Sequence, residues 1–185
     1  MTIQTLTPVG VVEEAGTQVP SLDEVAETIR DDALASARVK LWAPERGSEL
    51  ARLLARPDFL DYFKYGLALG VSNALSAGDQ KVRAIYVYDP SSNADSEAGE
   101  EMPQDVTVHM LVWVDAPSAA LEAFIGAVDR ALTASLKQLP SPRFAQRGSI
   151  LDVNLVTDDD IRRGVNYAGL LSGVFALPLK VWSRA

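Results

Sequence analysis

A single histidine, His109, stands in the apolar run VTVHMLVWV at 106–114, and an Asp-Val-Asn triplet, Asp152 to Asn154, stands in ILDVNLV at 150–156. Both runs are rich in β-branched residues and read as strands. Alternation places Thr107 and His109 on one face with Leu111 and Trp113. It likewise gives Asp152 and Asn154 one face of their strand and Leu151, Val153 and Leu155 the other. In a functional role His109 is a general base or a lone metal ligand; in a structural role it is hydrogen-bonded beneath a loop. The four polar residues either converge as a pocket across neighbouring strands or form the outward side of a half-buried sheet.

Other residue types narrow the chemistry. The chain has no cysteine, which excludes disulfides, thiolate metal sites and a cysteine nucleophile. Ser91 and Ser92 lack a nearby histidine and a nucleophile-elbow glycine pattern, so they are not nucleophile candidates. Arg162 and Arg163 follow Asp158, Asp159 and Asp160 at spacings that pair on one helix, or else they meet a phosphate or a carboxylate. Asp95, Glu97, Glu100, Glu101 and Asp105 read as a solvated acidic loop, or as a lure for a cation or a basic partner. A formal net charge of -8 disfavours non-specific nucleic-acid binding and anionic membrane surfaces. The start of the chain has no basic segment followed by an apolar run, and no stretch reaches the roughly 20 apolar residues of a membrane span. A cytoplasmic protein is the expectation.

The elements that must carry these residues follow from periodicity and punctuation. Residues 1–20 have no sustained period and read as a flexible arm. Ser21 and Glu24 form a capping-box pair, followed by Leu22, Val25, Ile29 and Ala33 at helical spacing. A short helix is expected over about 48–55. A longer one starts at Pro57 and Asp58, with Phe59, Phe63, Leu67, Val71 and Leu75 along one stripe until Gly78. VRAIYVY at 82–88 is a strand that turns Tyr86 and Tyr88 to one face, where packing is their ordinary role. A loop at 89–105 leads to the strand at 106–114. Pro117 opens a helix to about Leu139, and a loop at 140–148 reaches the strand at 150–156. Thr157 caps the next helix, and LKVW at 179–182 is a final short strand. The 48% hydrophobic content of 185 residues suits one domain with its own core.

In this order, and in the text of junctions such as LDVNLVTDDDIRRG, residues 59–182 resemble the nucleotidyltransferase superfamily related to polymerase beta, especially its minimal stand-alone members. The resemblance implies an α/β (α+β) fold, a mixed sheet of three to five strands packed on helices. Residues 57–185 would be the core and 21–56 an N-terminal helical segment. It also implies a Gly-Ser at the end of the first strand and three carboxylates that hold two divalent metals. The pair's position holds Asp89 and Pro90, and proline has no N–H to offer a phosphate. Thr107 and His109 stand where the two motif aspartates belong, with Asp105 a possible substitute, and only Asp152 matches, at the third carboxylate. Magnesium, the cofactor of an active member, wants more anionic oxygens than that.

Three readings follow. The first is a degenerate, catalytically inactive nucleotidyltransferase-like domain that binds a small molecule or a protein, with Asp89, Thr107, His109, Asp152 and Asn154 as ligand-binding candidates. The second is a divergent metal-dependent transferase using Asp152, His109 and Asp105. The third is an assembly subunit, with itself or another chain, without a small-molecule ligand.

Overall fold

The computed structural model describes residues 20–42, 49–78, 81–89, 106–172 and 177–184. The expected N-terminal arm, apart from Pro20, and the acidic run from Asp95 to Asp105 lie outside them. In chain order the elements are α1 (Leu22–Lys40), α2 (Leu50–Ala55), α3 (Pro57–Gly78), β1 (Val82–Tyr88), β2 (Val108–Val114), α4 (Ala119–Leu136), α5 (Pro142–Ala145), β3 (Leu151–Val156), α6 (Asp158–Arg163), a 3₁₀ helix (Asn166–Ser172) and β4 (Leu179–Ser183). This is an α+β fold, a four-stranded mixed sheet with helices packed on it.

The strand order is β3-β2-β1-β4. β1 runs antiparallel to β2 and to β4, while β2 and β3 run parallel. The parallel pair requires a crossover, and α4 provides it. Val108, Met110, Val112 and Val114 of β2 turn to one side of the sheet, into a core shared with α1, α3 and α4. The stripe Phe59, Phe63, Leu67, Val71 and Leu75 is fully buried in that core. Each such side chain contributes on the order of 1.5–3 kcal/mol through removal from water.

Local signals account for the boundaries. Ser21 caps α1 in a capping box, with its backbone N–H donating to Glu24 Oε2 at 2.7 Å. Ser118, the residue after Pro117, caps α4 by accepting from the Leu121 N–H at 3.2 Å. Thr157 and Asp160 form a second capping box on α6. α6 ends at Gly164, whose φ of 60° is a left-handed stop. The helix expected after Thr157 therefore closes within six residues and continues as the 3₁₀ helix.

α1 is a full layer of the core: Ala26, Ile29, Ala33 and Ala37 are buried in it. It lies so close to α3 that a Cβ at Gly66 would sit 2.8 Å from Ala33 Cα, and one at Gly70 2.8 Å from Ile29 Cγ2. Arg30 then ties α1 to α4 by donating to Ser135 Oγ at 3.0 Å. The expected loop at 140–148 contains α5, whose Phe144 is buried edge-on against Phe63 at 6.1 Å between centroids. Among the described residues no helix is long and apolar enough to cross a membrane.

Candidate functional site

The sheet face turned away from α1, α3 and α4 carries the polar residues. Strand alternation sends Tyr86 and Tyr88 of β1, His109, Leu111 and Trp113 of β2, and Asp152, Asn154 and Val156 of β3 to this side. Register then aligns a row across three strands. Tyr88 stands opposite His109, and His109 stands opposite Asp152.

The row is joined by hydrogen bonds. His109 Nδ1 lies 2.8 Å from Asp152 Oδ2. An ionised carboxylate only accepts, so this bond places a proton on Nδ1. Asn154 Nδ2 donates to Tyr88 Oη at 3.2 Å and to Asp152 Oδ1 at 3.4 Å. Tyr88 Oη is 3.5 Å from Asp152 Oδ2, at the outer limit of such a bond. Tyr167, from the 3₁₀ helix, closes one side, its ring centroid 5.9 Å from that of Tyr88. The Tyr88 ring is also tilted over the imidazole at 5.5 Å.

Exposure grades across the cluster. The side chain of His109 is 14% exposed and that of Asp152 is 43% exposed, so the carboxylate meets solvent while the imidazole lies below it. Burial pushes the Tyr88 phenol well above its ordinary range, and the neighbouring Asp152 carboxylate pushes the same way. The amide of Asn154, donating to the phenol oxygen, opposes both. Tyr88 is thus a neutral hydroxyl at any physiological pH.

Leu111, Val156 and Ala168 form a small second core beneath α6 and the 3₁₀ helix. At that end Asp158 accepts from Trp113 Nε1 at 2.9 Å and from Arg83 Nη1 at 2.8 and 2.9 Å. Arg83 also pairs with Asp115. Arg162 and Arg163 pair with Asp159 on their own helix at 3.6 and 3.2 Å. The intrahelical reading of these two arginines accounts for their contacts.

Of the five ligand-binding candidates, the fold brings together His109, Asp152 and Asn154. Thr107 is half-buried just ahead of β2. Asp89 leaves β1 toward α3, where it lines a cleft with Asp61, Lys64 and Tyr65 that Tyr88 also borders. Compared with protein-family models, curated proteins and solved structures, the chain matches none.

Two members of the cluster escape the reading from sequence. Tyr88 falls on the correct face, but its role as a hydrogen-bonding partner depends on the β1–β2 register, which its own strand does not encode. Tyr167 arrives only because the left-handed Gly164 ends α6 and redirects the chain, and no periodic pattern announces it.

Among the described residues the donor set does not suit two divalent ions. The four strands hold one carboxylate between them, Asp152. Among the described residues no three His, Asp or Glu side chains converge as metal ligands. Magnesium takes octahedral oxygen coordination through carboxylates and water, which one carboxylate backed by an imidazole does not supply. The cluster instead offers a carboxylate, an amide and a phenol beside two aromatic rings. That combination recognises polar groups by hydrogen bonding and by stacking.

Proposed function

We propose that this chain is a binding module on a nucleotidyltransferase-like plan, one that takes a polar small molecule or a polar protein segment and carries out no metal-dependent transfer. The observation that carries this reading is the engagement of Asp152. The carboxylate the family's chemistry would assign to a metal is held by His109 and Asn154 and lies beside the Tyr88 phenol. A ligand meeting this face would find acceptors on Asp152 and Tyr88 and the ring of Tyr167.

The test has two arms. With magnesium and each of ATP, CTP, GTP and UTP, no nucleotide should be incorporated into the chain or into an added acceptor. In manganese titrations followed by electron paramagnetic resonance, the wild type should bind no ion at millimolar concentration. Stoichiometric manganese binding that Asp152→Ala abolishes, or nucleotide transfer of any kind, would replace this proposal with a divergent transferase.

A further inference from the structure

Asp129 stands on α4, outside the polar row, and its carboxylate reaches across to another element. Its Oδ1 accepts two successive backbone N–H groups, those of Ile150 and Leu151, at 2.9 Å each. Thr133, one turn further along the helix, brings its hydroxyl to 3.4 Å from the same oxygen. Val128 and Leu132, buried in the core, fix this stretch of α4. The oxygen is thus held from its own helix and used by the strand.

The two amides open β3. Ile150 supplies the carbonyl that accepts from the Val108 N–H, at 2.8 Å. In a parallel ladder alternate residues bond to the partner, so the N–H and C=O of Leu151 point away from β2. Among the described residues no strand lies on that side of β3. Side chains take the place of one. Asp129 accepts from the Leu151 N–H, and the Ser149 hydroxyl donates to the Leu151 carbonyl at 3.0 Å. Ile150 and Leu151 are buried, and buried backbone groups without partners are costly, so β3 is favoured to start at this one position. A slip of one residue would withdraw an amide from the oxygen and turn Asp152 and Asn154 to the opposite face.

We propose that Asp129 is a positioning residue for the polar row: its Oδ1 pins the start of β3 and thereby holds Asp152 opposite His109 and Asn154 opposite Leu111. Asp152 follows Leu151 directly, so a fixed Leu151 amide leaves the Asp152 carboxylate little freedom along the strand. None of the Asp129 hydrogen bonds goes to the row itself, and its influence passes through the backbone of β3. The negative charge strengthens the two amide bonds, while the place of the oxygen sets the register. That this placement serves a ligand rests on the binding reading of the row; the placement itself does not.

The experiment uses the full chain without any ligand. Its single histidine makes the imidazole signals unambiguous, and long-range proton–nitrogen correlation spectra, recorded with the ring neutral, read which nitrogen carries the proton. The wild type should show His109 protonated at Nδ1, toward Asp152. Asp129→Ala should turn the ring into a mixture of tautomers and speed amide hydrogen exchange at Ile150 and Leu151 at least about tenfold. Asp129→Asn, which keeps an accepting oxygen in the same place, should restore Nδ1 protonation and bring exchange to within about threefold of the wild type. Leu132→Val removes buried volume from the same helix; it should lower the Tm and leave the tautomer as it is. If the alanine variant does not fold, Asp129→Glu, which keeps the charge and displaces the oxygen by one methylene, takes its place with the same expected losses. An unchanged tautomer after removal or displacement of the oxygen, a loss in Asp129→Asn equal to that in alanine, or the same mixture in Leu132→Val would overturn the proposal. Nucleotide transfer or manganese binding would end the binding reading of the row and leave this result standing.

Discussion

At the scale of single residues, Tyr88 is the most informative side chain. Its hydroxyl is held by the Asn154 amide and lies beside the Asp152 carboxylate, in a half-buried setting that resists ionisation. The chain has five tyrosines. In an alkaline titration followed by ultraviolet absorbance, Tyr88→Phe should remove no phenolate step near the ordinary midpoint of about 10. Loss of a step there would mean that the phenol is solvated and the cluster open. This outcome bears on how much of the site was readable beforehand. His109, Asp152 and Asn154 could be placed on common faces because alternation is a local property of each strand. Which strands adjoin, and in what register, depends on contacts far apart in sequence, and the Tyr88 partnership lies there. Asp89 left the group for the same reason, since the residue after Tyr88 points to α3.

At the scale of elements, the approach of α1 to α3 is set by two glycines one helical turn apart. Gly66→Ala brings a methyl against the α1 backbone at Ala33, which cannot yield without moving the helix. Alanine is the better helix former by about 1 kcal/mol, yet overpacking should leave a net loss of roughly 1–3 kcal/mol in chemical denaturation. At Gly70 the obstacle is the Ile29 side chain. Gly70→Ala combined with Ile29→Ala should therefore be less damaging than the sum of the single changes, whereas independent sites would simply add. Neither glycine stands out in the sequence, because a glycine inside a helical period carries no label for what lies opposite. The helices themselves were legible, since the capping box at Ser21, the cap at Thr157 and the four-residue stripe of α3 are local codes. α5 was not, because four residues between Pro142 and Ala145 are too few for any period, and Phe144 acquires its buried place only from Phe63.

At the scale of the whole molecule, ion pairs tie distant parts of the chain. Arg83 on β1 joins Asp115 beyond β2 and Asp158 on α6, and Arg184 after β4 also reaches Asp115 at 3.6 Å. The Arg83 guanidinium holds the Asp115 carboxyl below its usual range. A lowered carboxyl stabilises the fold above its unfolded value, about 3.9, and that contribution fades as the pH falls through the folded value. Asp61, raised by burial, has the opposite sign: its ionised form opposes folding, and the opposition lifts as it protonates. Asp115→Asn should accordingly lower the Tm at pH 7, with the deficit closing as the pH falls below the unfolded carboxyl value and through the lowered folded one. Asp61→Asn should hold or raise the Tm at pH 7, with its advantage closing under acid. Calorimetry on the two variants checks both signs, and equal responses would contradict the pairings. The parallel seam between β2 and β3 has a different safeguard. No hairpin turn sets its alignment, because the strands are joined through α4. Sliding β3 by one residue would bury the carboxylate of Asp152 and the amide of Asn154 among Val108, Met110 and Val112, where no water could reach them. Whatever meets this face from outside, its polar side chains also proofread the assembly of the sheet, and a misaligned chain is penalised before any ligand arrives.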